Sequence, residues 1–424
     1  MIRRVLALRR LLRAESLSQE RLAADRDRKL RRLMSQAVNR VPFYGELYAR
    51  HGIDAGALRG ASDLARLPVV DKFALRAAGS QAWEQTPRES AWISTSGSTG
   101  VPFRFPIDMA YDQLRKAQYL RPYLSNGRRA GDRVLRLTAV VQSHRPWFTR
   151  FGLLPETQLP CGTAPQLVLE RWRANGCGIL QGYPSALRAL AQYCLASGDR
   201  LEPGPRLIFT DSELLAADTR GLIERAFGAR VIDIFGTYET DNIAYQCEAG
   251  GGYHVTTDCV VVEVLRDGRV AQPGEDGELV VTVLDNLRSP FIRYNLHDLG
   301  RWATAPCSCG RSFPLLEVLK GRAEQMLRLP DGSERSAMDV VVRLYAFADL
   351  LLYYQLQQHT PQRYSLLYVP TPAFTPAHED TILAAVVPLL APAEVRLRCV
   401  TEIPLTPSKK WLAFVRDPDD GSAS

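Results

Sequence analysis

No apolar run in this chain of 424 residues approaches the length of a signal-peptide core or a membrane span, which takes about 20 apolar residues. The chain therefore reads as cytoplasmic. A transit peptide is poor in acidic residues, whereas Glu15, Glu20, Asp25 and Asp27 come early here. Cysteine is scarce. The eight thiols at Cys161, Cys177, Cys194, Cys247, Cys259, Cys307, Cys309 and Cys399 are too few and too unevenly spread for a disulfide scaffold, which leaves reduced thiols or a metal. There is no internal repeat. The excess of basic over acidic residues is modest at +7, and much of it sits in Arg3, Arg4, Arg9, Arg10, Arg13, Lys29, Arg31 and Arg32. No basic stripe of the kind that grips nucleic acid runs through the rest. A solvated helix face accounts for the N-terminal charge, with docking to a membrane surface or nucleic acid as the alternative.

What is present is an ordinary soluble composition, 46% apolar and 23% charged, long enough for two or three domains. Its most unusual stretch is Ile93 to Phe105, ISTSGSTGVPFRF, with Thr95, Ser96, Gly97, Ser98, Thr99 and Gly100 at its centre. Small residues let backbone approach a ligand, and successive N–H groups can cradle an oxyanion. A polyphosphate suits such a loop. It is not a Walker A loop, because no Gly-Lys-Ser/Thr follows. A solvated Ser/Gly loop is the bland alternative.

Helical periodicity runs from Leu17 to about Val41 through Leu22, Leu30, Leu33 and Ala37, stopping at Pro42. Further helices are expected over 108–120, 167–176, 185–195 and 216–227, and strands over 133–141, 205–210 and 230–234. That alternation predicts an α/β architecture with parallel sheet. From Val255 the texture turns β-rich, with strands over 260–265 and 278–284 and a turn at Asp267-Gly268. A small β subdomain fits this stretch. A separate α+β lid is expected after a hinge near Arg322 to Gln325, dividing the chain into domains 1–320 and 321–424.

Four further stretches, FGTYET from Phe235, FIRYNLHDLGRW from Phe291, GRAEQ from Gly321 and IPLTPSKKW from Ile403, follow the Ser/Gly loop in an order that resembles the adenylate-forming superfamily. Within it the chain most resembles the phenylacetate-CoA ligase and CapK-like branch, from about Leu30 to Val415. The resemblance implies an α/β N-terminal AMP-binding domain with a β subdomain and a small mobile α+β C-terminal lid. It also implies ATP-dependent activation of a carboxylic acid as an acyl-adenylate, with Mg²⁺, followed by transfer to coenzyme A.

The resemblance assigns roles position by position. Thr95 to Gly100 corresponds to the loop over the β- and γ-phosphates. Phe235 or Tyr238 borders the adenine beside Gly236, Thr237 touches the α-phosphate, and Glu239 ligates Mg²⁺, a hard ion that takes one or two carboxylates. Asp298 accepts the ribose hydroxyls and Arg322 reaches ribose or phosphate. Ser212 and Glu213 fall where relatives carry Gly-Glu beside the adenine. Lys410 is the expected catalytic lysine, offsetting charge in adenylation, although Ser408-Lys409-Lys410 replaces the usual Ser-Gly-Lys and leaves Lys409 as a rival. Val101 replaces the lysine that often ends the phosphate loop, and Arg104 offers a substitute cation. Glu324 stands in place of the hinge aspartate.

Cys247 with His254, and Cys307 with Cys309, supply three thiolates and an imidazole, a tetrahedral zinc set with no open position. Separate reduced thiols are the alternative. His144, Arg145 and Trp147, with Tyr183 of GYPS, fall where relatives build the acyl pocket. The acceptor could instead be an amine or a carrier-protein thiol, and a non-catalytic pathway scaffold is a reading from another class. No feature marks a dimer face, and a homodimer stays open.

Overall fold

The structure is a computed structural model that describes residues 2–84, 90–94, 103–138, 141, 149, 151–320, 326–347, 350–403 and 412–416. The chain divides into two compact units. One holds residues up to Arg129 together with Ile232–Lys320, and the other holds Ala130–Val231 together with the residues after Lys320.

The first unit opens with two helices, Ile2–Ala14 and Gln19–Arg40. Ser18 caps the second, accepting the Arg21 N–H. Leu22, Leu30, Leu33 and Ala37 are all buried along it, as their spacing predicts. Val41 is extended, with φ −118° and ψ 104°, as the residue before proline tends to be. Pro42 then opens a new helix rather than a loop, because proline at the first helical position forfeits no hydrogen bond.

The described strands of this unit's sheet pair antiparallel with one another, and Val70 adds a parallel bridge to Tyr294. The strands run in the order 269–270, 260–266, 277–283, 294–302, 315–320, 253–255, 241–245 and 231–237. The Asp267-Gly268 turn is present, with both residues at positive φ as a two-residue hairpin of this type requires. The Val231–Thr237 strand forms an antiparallel hairpin with Asp241–Tyr245 through a three-residue turn. A separate hairpin pairs Ser90–Ser94 with Arg104–Asp108 in register Ser94↔Arg104, and the second strand runs straight into the helix Met109–Ser125.

In the second unit the strands 207–211, 179–182, 134–138 and 156–160 are all parallel. Helices 165–175, 184–197 and 217–227 accompany them. The C-terminal part contributes a four-stranded sheet in the order 394–399, 363–370, 351–360, 414–416 with helices 337–344 and 377–390. Arg188, ion-paired to Asp218 at 3.0 Å, donates to the Leu351 carbonyl at 3.3 Å. Among the described residues no helix is long and apolar enough to cross a membrane.

Candidate functional site

The FGTYET stretch forms the end of the Val231–Thr237 strand and the turn into Asp241–Tyr245. Its glycine is dictated by contact: a Cβ on Gly236 would lie 2.1 Å from the Asp241 carbonyl oxygen, well inside any van der Waals contact. Asp241 itself takes a left-handed φ of 54°. Across the turn the Thr237 and Thr240 hydroxyls lie 3.0 Å apart, and the Thr240 N–H donates to Thr237 Oγ1 at 3.3 Å. Phe235 is half-buried and meets Tyr253 edge-on. Tyr238 is exposed.

Glu239 is buried, and the Tyr294 hydroxyl donates to one of its carboxylate oxygens at 3.3 Å. Tyr294 belongs to FIRYNLHD, the stretch singled out for Asp298. The fold thus joins two motifs through a residue that sequence reasoning passed over. Nothing in the tyrosine's local pattern marked it.

Asp298 lies half-buried on the strand Tyr294–Trp302. Pairing with the neighbouring strand jumps from Val280↔Asn295 to Glu278↔Leu299, so four steps along one strand match two along the other. A bulge of this kind re-aims side chains. His297, next to Asp298, adopts φ 59°.

In the second unit, Ser212 takes φ 70°, the left-handed geometry for which glycine is suited, at a cost of about 1 kcal/mol for a residue with a Cβ. Its hydroxyl donates to Asp211 at 2.8 Å. Glu213 accepts both the backbone N–H and the hydroxyl of Ser185 at 3.0 Å each, which places its charge at the N-terminus of the helix Pro184–Ser197. Tyr183, just before that helix, is buried. Thr95, Ser96, Gly97, Ser98, Thr99, Gly100, His144, Trp147, Arg322 and Lys410 lie outside the described residues, as do Arg145, Lys409 and Glu324.

Cys247, His254, Cys307 and Cys309 come together, with their ligand atoms all within 4.8 Å of one another. Cys247 Sγ is 3.5 Å from Cys307 Sγ, and Cys309 Sγ is 3.3 Å from His254 Nε2. These separations are far too long for a disulfide and close to the edge of a zinc tetrahedron, about 3.7 Å for 2.3 Å bonds. His254 is fully buried, with Nδ1 3.2 Å from the Phe313 carbonyl. A proton on Nδ1 leaves Nε2 free to ligate. Burial holds the imidazole pKa below its usual value and pushes the Cys247 thiol up to about 11.

The cysteine knuckle is seated on the N-terminal helices. Arg311 Nε donates to Glu15 Oε2 at 3.0 Å, the Ser312 N–H donates to the Glu15 carbonyl at 2.8 Å, and Gln19 donates to the Ser312 carbonyl. Tyr245 donates to Glu15 Oε1 at 2.6 Å. Phe313 packs with Ala14, Leu17 and Leu22.

No family model matches the chain. It is 26% identical over 365 residues to a phenylacetate-coenzyme A ligase of Thermus thermophilus, covering 81% of this chain and 79% of that one. Among solved structures, 2-hydroxyisobutyryl-CoA ligase in the postadenylation state in complex with 2-HIB-AMP superposes with TM-score 0.78 at 22% identity, over 96% of this chain and 92% of that one. The fold is that of the adenylate-forming ligases. The same ligase in complex with 2-HIB-AMP and CoA in the thioesterification state gives TM-score 0.65 at 21% identity, over 96% and 91%.

A second group beside the Glu239 turn had no counterpart in the motifs. Asp241 Oδ2 accepts the Tyr111 hydroxyl at 3.0 Å and Oδ1 lies 3.3 Å from Arg115 Nη1. Burial pushes the Asp241 carboxyl up to about 6, against the opposing pull of Arg115 and Tyr111.

Proposed function

We propose that this chain is an ATP-dependent acid–thiol ligase of the cytoplasm, related to the phenylacetate-CoA ligase and CapK-like branch. It activates a small organic acid and passes the acyl group to coenzyme A. The observation that carries the reading is the joining of two motifs 55 residues apart, with Glu239 buried on a turn that Gly236 makes tight and held by Tyr294. The fold it shares with acyl-CoA ligases supports the same chemistry.

In the first half-reaction a carboxylate oxygen attacks the α-phosphorus of ATP and pyrophosphate leaves. Thr95 to Gly100 would cover the departing phosphates. Lys410 would offset the charge that accumulates in the transition state. Thr237 would contact the α-phosphate, Tyr238 or Phe235 would border the adenine, Asp298 with Arg322 would hold the ribose, and Ser212 and Glu213 stand where relatives carry a Gly-Glu pair. His144, Trp147 and Tyr183 would line the acid's pocket. In the second half-reaction a thiol sulfur attacks the acyl carbon and AMP leaves with its oxygen. The residues after the hinge at Arg322 to Gln325 form the lid domain that would move between the two steps.

Two metals fit the residues present. Glu239 is a hard carboxylate, one oxygen of which accepts from Tyr294, and it would hold Mg²⁺, which supplies charge neutralisation at phosphate oxygens. Cys247, His254, Cys307 and Cys309 would hold zinc as a structural ion, because four protein ligands complete its shell.

The test is pyrophosphate release across aryl, fatty and amino acids with coenzyme A, read together with mass spectrometry of the product. Release with at least one aryl or small organic acid, and a thioester product, is expected. An amide product moves the acceptor to an amine, and the absence of both pyrophosphate and an ATP-induced thermal shift favours a scaffold. Lys410→Ala should abolish release while sparing thioester formation from supplied acyl-adenylate.

A further inference from the structure

The helix Met109–Ser125 meets the Glu239 turn along a single face. Tyr111 and Arg115, one turn apart, engage the Asp241 carboxylate, and one turn further the Gln118 carbonyl accepts Asn242 Nδ2 at 3.2 Å. Three successive turns of one helix thus engage two consecutive residues of the hairpin. The helix is itself anchored at its start, where Asp108 caps it by accepting the Tyr111 N–H at 2.7 Å. Asp108 is also the last residue of the strand Arg104–Asp108, which follows the Ser/Gly loop closely in sequence. Tyr111 therefore carries two links, its backbone to the cap and its hydroxyl to Asp241.

On the hairpin side there is little slack. Asp241 has left-handed backbone, and its carbonyl oxygen occupies the space that any side chain at Gly236 would need. A shift of Asp241 must displace Gly236 and Thr237, and with them the turn that carries Glu239. The carboxylate of Asp241 faces away into the helix and does not itself reach the turn's outer surface, being only 12% exposed.

We infer that Asp241, held by Tyr111 and Arg115, is a positioning residue that locks the Glu239 turn to the helix behind the phosphate-loop hairpin, so that metal–nucleotide and phosphate contacts are set in one frame. The inference rests on the reading of Glu239 as a ligand of Mg²⁺ with ATP. It goes beyond that reading by assigning the geometry of the turn to three side chains outside every motif.

The test uses the full chain with ATP as probe, comparing affinity in Mg²⁺ with affinity in EDTA by titration calorimetry for wild type, Asp241→Asn and Tyr111→Phe. A hydrogen bond to a charged group changes an equilibrium by about tenfold. Wild type should bind ATP more tightly with Mg²⁺. Asp241→Asn should lose most of that Mg²⁺-dependent gain, by about tenfold, and keep its affinity in EDTA within about twofold. Tyr111→Phe should lose a smaller part of the same gain. A wild type with no Mg²⁺-dependent gain overturns the Glu239 reading itself. A wild type with the gain and an Asp241→Asn variant that keeps it, or that loses affinity equally in EDTA, overturns the positioning role alone. Should Asp241→Asn fail to fold, Tyr111→Phe decides, and an undiminished gain in that variant overturns the inference.

Discussion

The strand Asp241–Tyr245 separates two clusters built on opposite plans. Just before it stands Glu239, a single carboxylate with one oxygen held by Tyr294. Just after it stands Cys247, one of four soft ligands whose atoms already face each other. The second cluster is closed. Four protein donors satisfy a tetrahedral ion and leave no position for substrate, and the surrounding contacts through Glu15, Arg311 and Phe313 tie three distant segments together. The first is open: among the described residues Glu239 accepts from Tyr294, and a single carboxylate suits an ion that keeps water and phosphate oxygens. On the proposed reading, the difference separates a centre that stabilises from one that reacts.

Breaking the open side should have the largest effect on rate. Glu239→Gln keeps the volume and the Tyr294 contact but removes the charge. It should lower the rate of pyrophosphate release by roughly 10²-fold, as loss of one preorganised electrostatic group does, with an unchanged melting temperature in calorimetry. A melting temperature that fell in step with the rate would erase the contrast between the clusters.

Breaking the closed side should act on stability first. Chelation, or Cys247→Ser, removes an anchor worth roughly 4 kcal/mol and should lower Tm by about 10 °C, while the protein still folded at about 25 °C retains its pyrophosphate release within about twofold. Elemental analysis of protein purified without a metal-affinity tag should show one zinc per chain in wild type and a deficit in Cys247→Ser. Full zinc occupancy in the variant, or rate loss without a change in Tm, would contradict a closed structural centre.

The smallest effect is expected at Tyr294. Tyr294→Phe deletes one hydroxyl from the pair with Glu239, and a hydrogen bond of about 1 kcal/mol predicts a few-fold rise in the Mg²⁺ concentration needed for half-maximal pyrophosphate release. An unaltered Mg²⁺ requirement would mean that the hydroxyl does not orient the carboxylate.

Much of the fold was legible in local pattern. The apolar spacing of Leu22, Leu30, Leu33 and Ala37 placed a helix and its buried face, and Asp267-Gly268 placed a hairpin turn. The strands 134–138 and 207–211 of the parallel sheet followed from strands alternating with helices, whereas 179–182, paired with both of them, was not read as a strand. The antiparallel return of Asp241–Tyr245 onto Val231–Thr237 was not legible, because periodicity along one strand carries no record of which partner the chain returns to. Ser212 shows a subtler case. Its departure from glycine was visible in the sequence, but the left-handed backbone that makes the departure costly was not.

By itself the sequence determined which residue types were available for chemistry: the order of the motifs, a carboxylate at Glu239 three residues after a glycine, and a set of three thiols and an imidazole. Tertiary structure alone decided who meets whom. Cys247 and His254 reach Cys307 and Cys309, Glu15 reaches Arg311 from the opposite end of the unit's sequence, and Tyr111 and Arg115 reach Asp241 across more than a hundred residues. Such contacts depend on how strands pair and helices pack. A side chain's chemistry is local, whereas the geometry that turns it into a site is fixed by non-local burial and hydrogen bonding.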